Sequence, residues 1–252
     1  MGAYRVIVPI ILSFGCELVD SSLGMGYGTT LTPLLLALGF EPLEIVPAVL
    51  FSEAITGVLA GVFHHEYGNL SLKRGSKDLK VVGVLTALSV VGVLISVLIA
   101  VSVPTWIVKL YIGLLVFALG ISILVNRRRR FRFSWKRIAA LGFVAAFNKG
   151  ISGGGYGPVV TGGQVLTGIR GRTAVGITSL AEGIASVVGV LVYVISGVAI
   201  PWHVALPLTV GAVLSVPLAA YVVSRVPAGR LTVIIGGMSA TLGGYTLLRM
   251  VV

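Results

Sequence analysis

Cysteine is nearly absent from this sequence: Cys16 stands alone in 252 residues, which excludes an internal disulfide and any multi-cysteine metal or iron–sulfur cage. Histidine is almost as scarce. His64, His65 and His203 fall at the ends of apolar runs, too few and too scattered for a metal site, so neither a metal nor another cofactor is expected. Charge is thin as well, at 11% of residues where an average soluble domain carries about 25%. With 56% of residues apolar and a mean hydropathy of +1.05, a water-soluble globule is excluded. Acidic groups are the rarer sign, 8 Asp and Glu against 19 Lys and Arg. In a soluble chain such a balance would point to nucleic acid. Here the densest basic run, 127–130, is a short loop between apolar runs, which reads as a topology determinant near anionic lipid. No nucleic-acid partner is expected.

What is present is material for membrane crossings. A helix needs about 20 apolar residues to traverse a hydrocarbon layer about 30 Å thick, and long runs of that kind lie at 44–64, 79–102, 105–125, 173–196, 202–224 and 231–252. The start of the chain looks like a signal peptide only until the apolar character continues, and it is read as part of the mature protein. Two further regions are hydrophobic but interrupted. Region 5–38 is broken at 20–28 and region 135–167 at 148–157, both rich in glycine. Each reads as two shorter helices around a break, and the pieces after the breaks, 29–38 and 158–167, reach only about 15 Å at 1.5 Å per residue.

Fifteen of the 19 Lys and Arg residues fall in four connections, around 73–80, 127–137, 170–172 and 225–230. These four are therefore assigned to the cytoplasmic side. The connections at 39–43, 102–105 and 196–202 lack basic residues and are assigned outside. Trp106, Trp135 and Trp202 each begin a span, where an indole prefers the headgroup layer. Since 135–167 then starts and ends on the cytoplasmic side, it must enter the membrane and return. Region 5–38 does the same from the outside, which places both termini there.

Sliding the sequence by 129 positions aligns Gly24, Met25, Gly26, Tyr27 and Gly28 with Gly153, Gly154, Gly155, Tyr156 and Gly157. It also pairs Thr32 with Thr161, Gly39 with Gly168 and Glu53 with Glu182. Because loop 39–43 is outside and its counterpart 168–172 inside, the repeats have opposite orientation. The expected fold is all-α: a polytopic membrane protein of two inverted-topology repeats, each a broken re-entrant helical hairpin plus three transmembrane helices. The first membrane repeat is 1–126, the basic cytoplasmic linker 127–137 and the second repeat 138–252. Glycine-interrupted hydrophobic segments in corresponding positions of two inverted halves point to the binding site of a secondary transporter.

Irregular backbone at membrane depth persists only where something satisfies it, so the breaks should line a cavity. Each returning half-helix turns its N-terminal N–H groups and partial positive charge toward the centre, and two opposed N-termini make an electropositive chamber suited to an anion. Substrate is expected between 24–30 and 148–158, with Gly24, Met25, Gly26, Tyr27, Gly28, Thr29, Thr30, Asn148, Lys149, Ser152, Gly153, Gly154, Gly155, Tyr156 and Gly157 as binding residues. Thr29 and Thr30 are candidate caps of the first half-helix, and Pro158 suits the first turn of the second. Lys149 is the one cation near mid-membrane. Its counterpart is Asp20, so it either contacts substrate or forms a structural ion pair with Asp20. Glu53 and Glu182, in mid-span, either couple protons or accept hydrogen bonds from the broken backbone, with Glu17 as a third acid. Cys16 reads as a small packing residue.

At these residues the chain resembles the sulfite exporter TauE/SafE family, also called the toluene-sulfonate uptake permease family. The matching features are the glycine cluster 24–28 with Pro33, the cluster 153–157 with Pro158, and the basic loop between duplicated halves. In that family the glycine stretches tend to read as three glycines and an aromatic residue; Met25 departs from this, and either narrows the site or packs. The resemblance implies a multi-pass transporter in a prokaryotic cell membrane, not an enzyme, carrying sulfite, sulfoacetate, other organosulfonates or related small acids. The coupling ion stands between a proton and sodium, and a homodimer is compatible with the pattern. Two other readings compete. An anion channel shares the composition, and Gly150 to Gly153 matches the short G-x-S-G pattern of intramembrane serine proteases, with Ser152 as nucleophile and His203 two helices later.

Overall fold

The architecture is given by a computed structural model, which describes residues 4–126, 133–167, 169–222, 237 and 240–248. Among these the regular elements are all helices: α1 (Tyr4–Leu23), α2 (Tyr27–Ala37), α3 (Pro42–Glu66), α4 (Lys77–Ser102), α5 (Thr105–Asn126), α6 (Trp135–Ser152), α7 (Tyr156–Leu166), α8 (Gly171–Ile195) and α9 (Trp202–Val222). Residues 240–248 are helical as well. Six helices are long and apolar enough to cross a membrane, namely α1, α3, α4, α5, α8 and α9. The chain is an all-α, multi-pass protein of the cell membrane.

The run expected at 231–252 lies largely outside the described residues. One expectation is corrected: the breaks are narrower than 20–28 and 148–157. Asp20 to Leu23 still belong to α1, and Asn148 to Ser152 to α6, so the interruptions are Gly24 to Gly26 and Gly153 to Gly155. Polar residues in the last turn of a helix do not end it; a left-handed backbone does. Gly24 and Gly26 have φ of 67° and 138°, Gly153 and Gly155 of 69° and 82°, values that a side chain strongly disfavours. The arms are unequal as a result: α1 has 20 residues and α6 18, while α2 and α7 have 11 each.

The helices interlock across the midpoint of the chain. α1 packs along α9 as α6 packs along α4, and α3 packs along α9 as α8 packs along α4. One apolar cluster joins Tyr27, Leu31 and Leu35 of α2 and Ala48 and Val49 of α3 to Leu208 and Ala212 of α9. The larger one joins Leu85 and Val93 of α4 to Ala145 of α6, Tyr156 of α7 and Ile177 of α8. Each hairpin thus rests on a helix from the other half. At the centre α3 crosses α8, and these two are the most enclosed spans, 67% buried against 28% for α5. Their contact is backbone to backbone. A Cβ on Gly57 would fall 2.6 Å from the Gly183 Cα, the close approach that small residues permit between membrane helices.

The connections sort into two ends. Lys109 at the start of α5 pairs with Glu41 at 2.8 Å, and His203 at the start of α9 lies 3.7 Å from Glu44. Glu41 and Glu44 also close a capping box that starts α3. At the other end, the Thr173 hydroxyl donates to the Asn69 carbonyl at 2.9 Å, and the Lys77 ammonium lies 4.0 Å from the Phe133 ring centre. The three connections without basic residues thus share one end, and the described parts of three basic ones share another.

Candidate functional site

The two breaks lie against each other with nothing between their backbones. A Cβ on Gly28 would land 1.7 Å from the Gly153 carbonyl oxygen, and one on Gly157 would land 2.5 Å from that of Gly24. Since 24 and 28 correspond to 153 and 157 under the 129-residue offset, the two contacts are equivalent. Hydrogen bonds sew the seam: the Gly155 N–H donates to the Thr29 hydroxyl at 3.0 Å, and the Thr161 hydroxyl donates to the Gly24 carbonyl at 2.6 Å. Thr29 therefore serves the opposite hairpin rather than capping its own helix, whose N-cap is Gly26. Thr30 is buried in the same turn. Pro158 falls in the first turn of α7, where a missing N–H costs little. Met25 packs on Val19 and Leu23; its φ is not positive, so this position of the break admits a side chain.

Beside the seam sits a buried charge centre. Lys149, in the last turn of α6, is fully buried and binds Glu53 of α3 and Glu182 of α8, the latter at 2.7 Å. Both glutamates are the twelfth residue of a 25-residue helix, and the glycine crossing of α3 and α8 brings them to one ammonium. Lys149 does not pair with Asp20. Asp20 lies in the last turn of α1, where a negative charge opposes the helix dipole. Its Oδ1 accepts the Tyr27 N–H at 3.1 Å, so it satisfies the free N-terminus of α2 across the break. Glu17, one turn earlier, accepts the Ser21 hydroxyl at 2.6 Å and interacts electrostatically with Glu182 and Lys149, as Asp20 does with Glu182. The centre therefore gathers four carboxyl groups and one ammonium. It is richer in acid than the electropositive chamber expected from the helix ends, because that expectation omitted what the α3–α8 crossing delivers.

Several partners went unnoticed in the sequence. The Tyr193 hydroxyl donates to the Gly150 carbonyl at 2.8 Å, and His64 Nε2 lies 3.1 Å from the Ser21 carbonyl. Positions 64 and 21 become 193 and 150 on adding 129, so the same tether occurs twice. A carbonyl can only accept, so the His64 Nε2 facing it carries the proton, and Nδ1 accepts from the Asn69 amide at 3.1 Å. His64 is fully buried. The two tyrosines of the breaks are held by serines, Tyr27 by Ser52 at 2.8 Å and Tyr156 by Ser89 at 2.9 Å. Asn148 accepts the Tyr111 hydroxyl at 2.5 Å. The offset was the available signal for the Tyr193 and His64 tethers; an identity comparison passes over them because His and Tyr differ and the acceptor is backbone.

The nucleophile reading loses its partner. The Ser152 hydroxyl donates to the Asn148 carbonyl at 2.8 Å, while His203 lies at the Glu44 end of α9, half exposed. Cys16 packs at the edge of the α2–α3–α9 cluster. Among the described residues no group of three His, Cys, Asp or Glu is placed to hold a metal ion.

Comparison with known proteins bears on these residues as a whole. The family model described as "Sulfite exporter TauE/SafE" matches residues 9–246, which includes both breaks and all five members of the charge centre. The chain is 28% identical over 259 aligned positions to "Probable membrane transporter protein YtnM" of Bacillus subtilis (strain 168), covering 97% of this chain and 83% of that protein. No solved structure matches it. The chain is a membrane transporter and belongs to the sulfite exporter TauE/SafE family.

Proposed function

We propose that the protein is a secondary transporter of small anions whose substrate binds where the two broken hairpins meet, between 24–30 and 148–158. The observation that carries this is the seam itself. Two helix N-termini, those of α2 and α7, abut at the centre of the helix packing beside a fully buried lysine. The partial positive charge of a helix start favours an anion, and a membrane-embedded ionisable residue is functional by default. The inverted orientation expected of the two repeats from their loop charges is the pattern of alternating access, in which one part rocks or slides past the other around a fixed site. The packing equivalences α1–α9 with α6–α4 and α3–α9 with α8–α4 fit such a pair of repeats. Sulfite, sulfoacetate and other sulfonates are proposed as substrates on the strength of the family alone.

The test is a thermal-shift panel on the purified protein in detergent with sulfite, sulfate, sulfoacetate, other sulfonates, carboxylates and chloride, repeated on Lys149→Ala. A ligand that binds the folded state raises its melting point. At least one sulfur-containing anion should do so in the parent and lose the effect in the variant. A panel in which only cations or neutral solutes stabilise the protein overturns the substrate class.

A further inference from the structure

Among the described residues the charge centre holds more acid than its one base can neutralise, and its spare oxygens are without partners. Glu53 and Glu182 each bind Lys149 through a single oxygen, leaving Glu53 Oε1 and Glu182 Oε2 buried without a hydrogen-bond partner. Ser179 and Ser186 flank Glu182 by three and four residues, which puts all three on one face of α8, and both serine hydroxyls are also buried and unpartnered. The other titratable groups around this centre are engaged. Asp20 on α1 holds the Tyr27 N–H, Glu17 on α1 holds Ser21 through one of its two oxygens, Tyr27 on α2 holds Ser52 and Tyr156 on α7 holds Ser89. Cys16 on α1 packs in an apolar cluster, and His64 on α3 is tied to Ser21 and Asn69.

An anion approaching this centre meets an ammonium already shared by two carboxylates. To be held by Lys149 it must take the place of one of them, and a displaced carboxylate left ionised would add to an existing excess of negative charge in a buried site, an arrangement strongly disfavoured. Resting on the transport reading above, we propose that substrate binds by charge exchange at Lys149. The anion displaces Glu53 or Glu182, the displaced carboxylate takes up one proton, and anion and proton cross together.

The exchange balances. One N–H···carboxylate bond breaks and one N–H···anion bond forms; one O–H bond forms on the freed glutamate with a proton from water on the side of entry. Nothing is oxidised or reduced, the net charge of the centre is unchanged for a singly charged anion, and release on the far side reverses each step. The unpartnered hydroxyls of Ser179 and Ser186 supply acceptors for the new O–H of Glu182.

The experiment uses the full chain in proteoliposomes with a pH dye inside and methanesulfonate, a singly charged sulfonate, as the probe. Inward methanesulfonate flux should acidify the lumen with sodium absent. An imposed inward proton gradient should concentrate methanesulfonate by up to about tenfold per pH unit, the limit for one proton per anion under linkage. In detergent, the apparent dissociation constant for methanesulfonate should rise by up to about tenfold per pH unit in the parent, and by less than about twofold in Glu53→Gln/Glu182→Gln, because glutamine imitates the protonated acid. The single variants Glu53→Gln and Glu182→Gln keep one carboxylate on Lys149 and stand in if the double variant does not fold. Methanesulfonate exchange without lumenal acidification, or a pH-independent affinity in the parent, overturns the charge exchange while leaving anion transport intact. Failure of every anion in the panel to exchange overturns the transport reading instead, and the exchange with it.

Discussion

The two broken hairpins have the same backbone plan and opposite chemistry at one pair of positions. In both, glycines of positive φ end a long arm and release a short one, a tyrosine opens the short helix, and a side chain from the following long helix reaches back to a carbonyl in the last turn of the arm. Yet at the position where the first hairpin has Asp20 the second has Lys149. Asp20 turns to its own break and holds the Tyr27 N–H; Lys149 turns away from its break to Glu53 and Glu182. The matching geometry builds the seam, and the pair of opposite charge sets the two hairpins apart. The buried cation is thus confined to one hairpin, and that is the difference worth breaking experimentally.

The largest effect is expected at the seam, where both hairpins should be equally intolerant. Gly28→Leu and Gly154→Leu each drive a side chain into backbone, with Cβ atoms 1.7 and 2.5 Å from the opposite break. Fluorescence-detected gel filtration should show loss of monodisperse protein for both. Gly15→Ala, where a Cβ meets nothing within 4 Å, should fold at least as well as the parent, since Ala exceeds Gly in a helix by about 0.5–1 kcal/mol.

Next comes the divergent pair. Lys149→Ala strands two buried carboxylates and should cost about 3–5 kcal/mol. Asp20→Asn keeps an oxygen for the Tyr27 N–H and should cost less than about 1.5 kcal/mol, the scale of a single hydrogen bond. Equilibrium unfolding of the two variants measures the gap, and equal losses would mean that Lys149 and Asp20 are interchangeable structural groups.

Much of this was legible in advance. The glycine clusters, the 129-residue offset and the lengths of the short helices were readable because left-handed backbone demands glycine and because 11-residue helices cannot cross a bilayer. What escaped was anything carried by the tertiary crossing. The α3–α8 contact at Gly57 and Gly183 looks in sequence like two unremarkable small residues, so the meeting of Glu53, Glu182 and Lys149 was not foreseen. Lys149 was matched instead to Asp20, its counterpart in the repeat. The burial of His64 was missed for a related reason: it lies in the last turn of a span, where histidines usually face the headgroups, and its partner Ser21 is 43 residues away.

Smaller effects sharpen the equivalence of the paired tethers. Tyr193→Phe removes one hydrogen bond to a buried carbonyl and should lower stability by about 1–3 kcal/mol. His64→Phe removes the matching bond and should fall in the same range or slightly above it, since it also loses Asn69. Smallest of all is Lys109→Ala at the exposed Glu41 pair, expected at about 0–1 kcal/mol.

Counterflow in proteoliposomes tests the central claim most directly: a labelled sulfonate or sulfite outside, the same anion unlabelled inside, for the parent, Lys149→Ala and Gly15→Ala. The account predicts saturable exchange in the parent and in Gly15→Ala, abolished in Lys149→Ala. Exchange at the parent rate by a folded Lys149→Ala, or a current that grows linearly with anion concentration and shows no counterflow, would contradict it.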